Sequence, residues 1–122
     1  MTKVIFDTSF LMAVADHPTN WLDDISQEVG RVEPVALDCV ISELTRLSAG
    51  RGKKSKTASV AANIAKGFKR LESGAAPPDE EIMSIAISAR ASVATIDQEL
   101  AESLKARRVP VFGLRSGRAV RL

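Results

Sequence analysis

Two short apolar runs, each ending at an aspartate, constrain the fold of this chain most strongly. Residues 4–6 are apolar and stop at Asp7, and residues 92–96 form a second run that stops at Asp97. Apolar runs this short, bounded by polar residues, predict strands buried on both faces of a parallel sheet. Because ligands bind at the carboxyl ends of strands in open α/β sheets, both aspartates are candidates for a site at that edge.

The rest of the chain alternates between strand and helix patterns. Residues 34–37 and 109–114 predict two further strands, and Pro110 predicts that the latter is an edge strand. Hydrophobic residues at helical spacing predict helices over residues 10–15, 20–29, 39–48, 57–71, 79–89 and 98–107. A basic loop is expected over residues 49–56, and the basic tail after residue 114 could add a short pairing around residues 116–117. This alternation predicts a three-layer α/β/α sandwich with a central, mostly parallel sheet of 4–5 strands.

Composition narrows the class of protein. A length of 122 residues with 45% hydrophobic content excludes a disordered chain and predicts a single domain over residues 1–122. No apolar run approaches the ~20 residues that cross a bilayer, so no membrane partner is expected. Because a strand is predicted at the very start, no secretory signal is expected. Cys39 is the only cysteine, which fits a reducing compartment, and a cytoplasmic location is expected.

Charge is distributed unevenly along the sequence. Residues 1–50 carry three basic and eight acidic side chains, whereas residues 51–122 carry fourteen basic and seven acidic ones. This asymmetry suggests a cation site beside a surface that binds a polyanion. The alternative is ordinary solvated surface charge.

Two more carboxylates can join the aspartates at the sheet edge. Glu43 lies at the border of the apolar face of its predicted helix, and Asp79 opens another helix, although neither is forced to converge on Asp7 and Asp97. Two carboxylates about 4 Å apart repel by roughly 4 kcal/mol at an effective dielectric of 20, so a cluster requires protonation or a cation. Oxygen ligands suit Mg²⁺ or Mn²⁺, which can acidify water and neutralise charge on a phosphodiester.

Nearby hydroxyls and basic residues complete the candidate site, and ordinary roles stay open for several members. Asp97 could only cap the following helix, Asp79 could only complement a helix dipole, and Glu43 could be a solvated helix residue. The hydroxyls that could orient water or a phosphate are Thr8, Ser9 and Thr95. The candidates for phosphate contacts are Lys53, Lys54, Lys56, Arg107, Arg108 and Arg115, together with Lys66, Lys69, Arg70, Arg118 and Arg121.

Four segments together resemble the PIN-domain family of small metal-dependent ribonucleases over nearly the whole chain. They are Phe6-Asp7-Thr8-Ser9, Ile41-Ser42-Glu43-Leu44, Asp79-Glu80-Glu81-Ile82 and Ala94-Thr95-Ile96-Asp97-Gln98-Glu99-Leu100. The resemblance implies that Asp7, Glu43, Asp79 and Asp97 hold Mg²⁺ or Mn²⁺, with Ser9 or Thr8 near the metal. The chain looks most like archaeal-type relatives of ribosomal RNA processing nucleases. One departure is that the strand usually found before the Asp79 helix is shortened or missing here.

These features predict a metal-dependent endoribonuclease that hydrolyses RNA, with ribosomal RNA processing as the expected context. Two alternatives remain within the family, namely a toxin ribonuclease with an antitoxin partner and a non-catalytic RNA-binding protein. A homodimer or a ribosome-assembly partner is also compatible with the sequence. With four Phe, one Trp and no Tyr, base stacking on surface aromatics is not expected to dominate RNA binding.

Overall fold

The computed structural model describes residues 1–122 as six strands and six helices. The strands are β1 (Thr2–Phe6), β2 (Val32–Leu37), β3 (Lys69–Leu71), β4 (Ser92–Ala94), β5 (Val111–Arg115) and β6 (Arg118–Arg121). The helices are α1 (Thr8–Asp16), α2 (Trp21–Val29), α3 (Asp38–Ser48), α4 (Lys53–Ala65), α5 (Pro78–Ala89) and α6 (Gln98–Ala106). No helix combines the length and the apolar character that crossing a bilayer requires.

All six strands join one sheet in the order β3-β2-β1-β4-β5-β6. The first five strands are parallel, and β6 alone runs antiparallel, paired with β5. On β1, Ile5 lies opposite Val35 on one side and Val93 on the other. The predicted three-layer, mostly parallel α/β/α fold is therefore confirmed, but the sheet has six strands rather than the expected 4–5.

The direction of the strand connections changes between β1 and β4. The chain moves from β1 to β2 and β3 in one direction, then from β4 to β5 in the other. Because parallel crossovers are right-handed, this reversal places the two groups of helices on opposite faces of the sheet. Helices α1, α3 and α4 pack together as one group, while α5 contacts β1 and β4 and α6 contacts β5. The neighbouring strands β1 and β4 thus define the topological switch point, where α/β folds bind ligands.

The core is built on the apolar runs that the sequence marks as strands. Val4, Ile5 and Phe6 on β1 are fully buried. The Phe6 ring lies against Trp21 and Phe68, with centroid distances of 4.9 and 5.1 Å. Offset and edge-on aromatic contacts of this kind add stability beyond the buried area. Trp21 is consequently a packing residue.

The fourth helix differs from the prediction in both position and packing. It covers Lys53–Ala65 rather than residues 57–71, so the expected loop over residues 49–56 is shorter. Its buried residues are Ser55, Ala58, Ala61 and Ala65, whereas Val60 is exposed. Small side chains on this face allow close packing against α1 and α3, the two helices that α4 contacts most extensively. The larger apolar residues therefore do not mark its buried face.

The strand that was expected to be shortened or missing before Asp79 is present and short, because Lys69–Leu71 pairs with β2 instead of continuing α4. One prediction about the sheet is wrong. Pro110 does not mark an edge strand, since β5 lies between β4 and β6 and Pro110 precedes it. Asp38 is the first residue of α3, and its carboxylate accepts a hydrogen bond from the Arg70 guanidinium at 2.6 Å.

Candidate functional site

A large cleft opens at the carboxyl edge of the sheet and has a volume of about 1110 Å³. All four predicted carboxylates line it. Of the three predicted hydroxyl residues, Thr8 and Ser9 also line the cleft, whereas Thr95 lies buried directly beneath it. The acidic side chains of the cleft are Asp7, Asp16, Glu43, Asp79 and Asp97, and the basic ones are Arg46, Lys53 and Lys54. The fold therefore gathers residues that are distant in sequence at the switch point between β1 and β4.

Asp7 is positioned where the two central strands end together. Its backbone N–H donates to the carbonyl of Ala94 at 2.9 Å, which joins the end of β1 to the end of β4. The residue as a whole is only 7% exposed. Ser9 Oγ and Thr95 Oγ1 both donate to Asp7 Oδ2, at 2.7 and 2.8 Å. The other oxygen, Oδ1, is left without a hydrogen-bond donor from the chain, so one side of this carboxylate is anchored and one is available.

The same two hydroxyls also fix the segment that carries Asp97. Ser9 Oγ accepts a hydrogen bond from the backbone N–H of Ile96, and Thr95 Oγ1 accepts one from the backbone N–H of Asp97, each at 3.1 Å. Asp97 Oδ1 accepts from the Leu100 N–H at 3.1 Å and so caps α6. The capping role that the sequence left open is therefore real, and Asp97 lines the cleft as well.

Glu43 and Asp79 reach the cleft from two different helices. Glu43 is half-buried on α3, and Asp79 is the second residue of α5. The loop before α5 is tied to α3, because the Cys39 N–H donates to Ser73 Oγ at 2.9 Å. The Glu81 side chain accepts a hydrogen bond from the Gly74 N–H and holds the same loop from the other side. These contacts place Asp79 although the strand before it has only three residues.

The acidic residues of the cleft and its surroundings affect the pKa of Asp79. Burial raises the pKa of Asp79 above its ordinary value of 3.8, and neighbouring carboxylates raise it further. In decreasing order of effect these neighbours are Asp7, Asp97, Glu43 and Glu99. The negative charge of these four neighbours therefore disfavours the charged form of Asp79.

Comparison with known proteins supplies the family. Residues 4–117 match the family described as "PIN like domain", which is most of the chain. The chain belongs to this PIN-like domain family. No curated protein sequence matches the chain at a significant level.

Solved structures share the PIN-like fold. "Structure of the PIN domain endonuclease Utp24" superposes with a TM-score of 0.80 at 24% identity, covering 98% of this chain and 92% of that one. A domain of a functionally unknown protein from Methanocaldococcus jannaschii gives 0.65 at 15% identity, with 95% and 93% covered. PAE2754 from Pyrobaculum aerophilum gives 0.51 at 21% identity, with 87% and 88% covered. At these identities the likeness establishes the fold of the PIN-like domain.

The donor set of the PIN-like domain fits a hard divalent cation, although no three Asp, Glu, His or Cys side chains are already arranged to ligate one ion. The available donors are carboxylate oxygens, which Mg²⁺ and Mn²⁺ prefer. The Thr8 hydroxyl is buried at the same place without a hydrogen-bond partner, which is unusual for a buried polar group. Mg²⁺ keeps several waters, so it does not require a tight cage of protein ligands.

The predicted phosphate-binding residues of the PIN-like domain separate into two groups. Lys53 and Lys54, at the start of α4, line the cleft, whereas Lys56 does not. Arg115 ends β5 and is exposed at the same edge of the sheet. Arg107 and Arg108 follow α6 and precede β5, which places them at the opposite edge, away from the carboxylates.

Three charged residues near the carboxylates were not predicted from the sequence. Arg46 lines the cleft, and its guanidinium lies 3.9 Å from Glu43 Oε2. Its position three residues after Glu43 on the same helix would have predicted this contact from the sequence. Asp16 ends α1 and lies 3.8 Å from Lys53 Nζ. Glu99 influences the pKa of Asp79 from the first turn of α6. No local pattern connects Asp16 with the cleft, because only the packing of α1 against α4 brings it there.

Proposed function

We propose that this PIN-like domain is a metal-dependent endoribonuclease that hydrolyses phosphodiester bonds of RNA. The observation that carries the proposal is the convergence of Asp7, Glu43, Asp79 and Asp97 on one cleft at the switch point of the sheet. A structural neighbour over almost the full length is described as an endonuclease, which supports the same class of reaction. A non-catalytic role would give no reason for placing carboxylates that repel one another in the same cleft.

In the proposed mechanism, the four carboxylates would hold Mg²⁺ or Mn²⁺. When bound, such an ion supplies an acidified water and neutralises charge that develops on the phosphate oxygens. Asp7 would bind through Oδ1, because Ser9 and Thr95 occupy Oδ2. The two hydroxyls prevent rotation of the carboxylate, so its geometry is set before the substrate arrives.

The substrate backbone would be held by the basic side of the cleft. Arg46, Lys53 and Lys54 lie next to the acidic residues and can contact phosphates on either side of the scissile bond. Arg46 pairs with Glu43 at 3.9 Å, and Lys53 pairs with Asp16 at 3.8 Å. Because the basic side chains are exposed, these ion pairs are weak and easily exchanged for contacts with phosphate. Arg115 could extend this contact along the sheet edge. Arg107 and Arg108 require an RNA that wraps around the molecule, so we expect them to contribute less.

The biological setting belongs to the proposal as well. Ribosomal RNA precursors are the substrate we favour, and a single-stranded RNA without structure serves as the comparison. A cytoplasmic location fits the single Cys39, which is free. A toxin role with an antitoxin partner, a homodimer and a ribosome-assembly partner have no specific observation in their favour.

A cleavage assay tests the proposal directly. Labelled precursor ribosomal RNA and generic single-stranded RNA are incubated with the chain in Mg²⁺, in Mn²⁺ and in EDTA. We expect cleavage only with a divalent ion, and we expect Asp7→Asn and Asp97→Asn to lower the rate by at least about 100-fold, as for loss of a major transition-state contact. Asp23→Asn, in the first turn of α2, is the matched control and should cleave normally. Undiminished cleavage in EDTA, or by Asp7→Asn, would overturn the proposal.

A further inference from the structure

Two helices end in the same unusual way at the edge of the sheet opposite the carboxylates. Arg90 follows α5 and Arg108 follows α6, and both have a left-handed backbone, with φ angles of 52° and 61°. In each case the N–H of the next residue donates to a carbonyl five residues earlier, at 2.9 Å from Ala91 to Ala86 and at 3.0 Å from Val109 to Leu104. This Schellman arrangement usually carries glycine at the left-handed position. Because side chains disfavour that conformation, two arginines at equivalent positions need an explanation beyond backbone geometry.

These two arginines line one pocket together with Arg107. The pocket has a volume of about 270 Å³ and lies where α5 and α6 end and where β4 and β5 begin. Its other lining residues are apolar except for the buried Ser92, and none of them is acidic. None of the three arginines forms an ion pair with a carboxylate of the chain. We call the site formed by Arg90, Arg107 and Arg108 the arginine pocket.

Guanidinium groups without a carboxylate partner favour an oxyanion as ligand. A planar guanidinium donates two parallel hydrogen bonds to a phosphate, which makes arginine common in phosphate recognition. The volume of the arginine pocket lies just below the ~300–1,000 Å³ typical of small-molecule sites, so it suits a phosphate group rather than a whole nucleotide. Attraction to the negative ends of α5 and α6 would explain basic residues here, but not the left-handed conformation of two of them.

Strand β4 connects the arginine pocket with the carboxylate cleft. Ser92, its first residue, lines the pocket, and Asp97, three residues after its end, lines the cleft. At ~3.3 Å per residue, the segment from residue 92 to residue 97 spans at most ~17 Å. At the ~3.4 Å rise of a stacked nucleic-acid strand, this distance corresponds to about five nucleotides. A shorter RNA in the cleft therefore does not reach the arginines, whereas a longer one can continue over the surface to them.

Resting on the proposed function, we propose that the arginine pocket binds phosphates of the RNA at a point away from the scissile bond. The cleft then holds the phosphates at the cut, and the arginine pocket holds the same RNA at the opposite edge of the sheet. Its contribution to binding consequently depends on RNA length and is absent from RNAs that fill only the cleft.

Replacing the two left-handed arginines by glycine tests the proposal. The variant Arg90→Gly/Arg108→Gly loses both side chains but gains the residue that the Schellman arrangement favours. The matched control, Arg31→Gln/Lys66→Gln, also removes two exposed positive charges from the same edge of the sheet, before β2 and β3, and neither residue lines the arginine pocket. All proteins carry Asp7→Asn so that RNA is not consumed. Binding of labelled RNA is measured by fluorescence anisotropy in Mg²⁺ at several salt concentrations.

We expect the glycine pair to weaken binding of an RNA of about 20 nucleotides by about three- to tenfold, as for two exposed charge contacts. Binding of an RNA of about four nucleotides should not change. For the longer RNA, the slope of log K against log salt should fall in magnitude by about 1.4, because each phosphate contact on a single strand contributes ~0.7. The Tm should not decrease, and the control pair should retain both the affinity and the slope.

Three results would overturn the proposal. A lower Tm with unchanged RNA binding would make the arginines helix caps only. Equal weakening for the two RNA lengths, or equal weakening by the control pair, would mean that no separate site exists at this edge. Unchanged RNA binding would also overturn it if inorganic phosphate raised the Tm of the parent but not of the glycine pair, because the pocket would then serve a free phosphate.

The same measurements separate this proposal from the proposed function. If the parent binds the longer RNA through the arginine pocket but the chain with Asp7 intact cleaves no RNA, the proposed function fails and the pocket is supported. If cleavage occurs and the glycine pair binds both RNAs like the parent, the pocket fails and the proposed function is unaffected. Absence of RNA binding by the parent contradicts both.

Discussion

At the scale of single residues, Thr95 connects the two aspartates of the cleft. It is fully buried, donates to Asp7 Oδ2 and accepts from the Asp97 N–H. We expect Thr95→Val to lower the free energy of unfolding by about 1–3 kcal/mol, because it leaves the part-buried Asp97 N–H without its acceptor and Asp7 with one donor fewer. Urea unfolding measures this loss. Thr95→Ser keeps the hydroxyl and should lose clearly less; equal losses in the two variants would mean that the methyl group, not the hydrogen bonds, matters.

Asp79 predicts a pH-dependent effect on stability. Its pKa is raised in the folded chain, so its charged form destabilises the fold at neutral pH, and the destabilisation fades as pH falls through the raised pKa toward 3.8. Without metal, Asp79→Asn should therefore stabilise at pH 7, by less than about 1 kcal/mol because solvent screens this exposed group. The gain should shrink as the pH is lowered.

Asp23→Asn is the control for Asp79→Asn, since it also removes a carboxylate from the first turn of a helix but lies outside the cleft. The difference between the two variants in metal-free thermal melts at several pH values separates repulsion in the cleft from loss of the helix-dipole interaction. If both variants change stability equally at every pH, the carboxylates do not repel one another as inferred.

Single residues also show how far sequence reasoning reaches. The positions of Asp7 and Asp97 could be predicted because each follows directly on a buried strand, and strand direction then fixes the edge on which it lies. The shared hydroxyl network could not, because Ser9 and Thr95 are distant in sequence and meet only through the pairing of β1 with β4.

At the scale of elements, one side chain of α2 holds the last strand on the side away from β5. Asp24 Oδ2 accepts from the Ala119 N–H at 2.9 Å, and Asp24 Oδ1 accepts from the Arg118 guanidinium at 3.4 Å. We expect Asp24→Ala to cost about 1–3 kcal/mol, since it leaves this N–H without its partner. Amide hydrogen exchange should accelerate in β6 more than in β1. Asp23→Ala, beside it on the exposed side of α2, should leave β6 protected; loss of protection there as well would contradict a specific role for Asp24.

Elements were predicted well where large apolar residues face the core and poorly where they do not. The stripe Val60, Ile64 and Phe68 continues at helical spacing past the true end of α4 at Ala65. The chain leaves the helix there because β2 offers a pairing partner for Lys69–Leu71, which is a long-range interaction. Two of the three residues of that strand are basic and exposed, so no hydrophobic pattern in the sequence predicts it.

At the scale of the whole molecule, the proposed site predicts stabilisation by divalent ions. An ion at about 100 times its Kd stabilises the folded state by about 2.7 kcal/mol, which raises the Tm of a chain this size by several degrees. We expect Mg²⁺ and Mn²⁺ to raise the Tm, and Asp7→Asn and Asp97→Asn to remove most of the rise. Asp23→Asn should retain it. An unchanged response in the two cleft variants would place the ion elsewhere.

The global arrangement of the site was largely predictable, and the binding surface was not. Two strands ending in aspartate, on either side of a reversal in strand order, must bring their side chains to one crevice. The basic residues depend instead on how α3 and α4 pack beside that crevice. Lys53 and Lys54 consequently reach it, whereas Arg107 and Arg108 lie at the far edge, although their local sequences look equally suited to binding RNA.

The anchoring of Asp7 through Oδ2 has a consequence for ion selectivity. With only Oδ1 free, Asp7 can offer one oxygen and cannot chelate in the bidentate manner by which carboxylates often fill the larger coordination sphere of Ca²⁺. A small octahedral ion that retains part of its hydration shell loses nothing by this arrangement. We therefore expect Asp7 to favour Mg²⁺ or Mn²⁺ over Ca²⁺, and the two neutral hydroxyls bound to Oδ2 would set that preference.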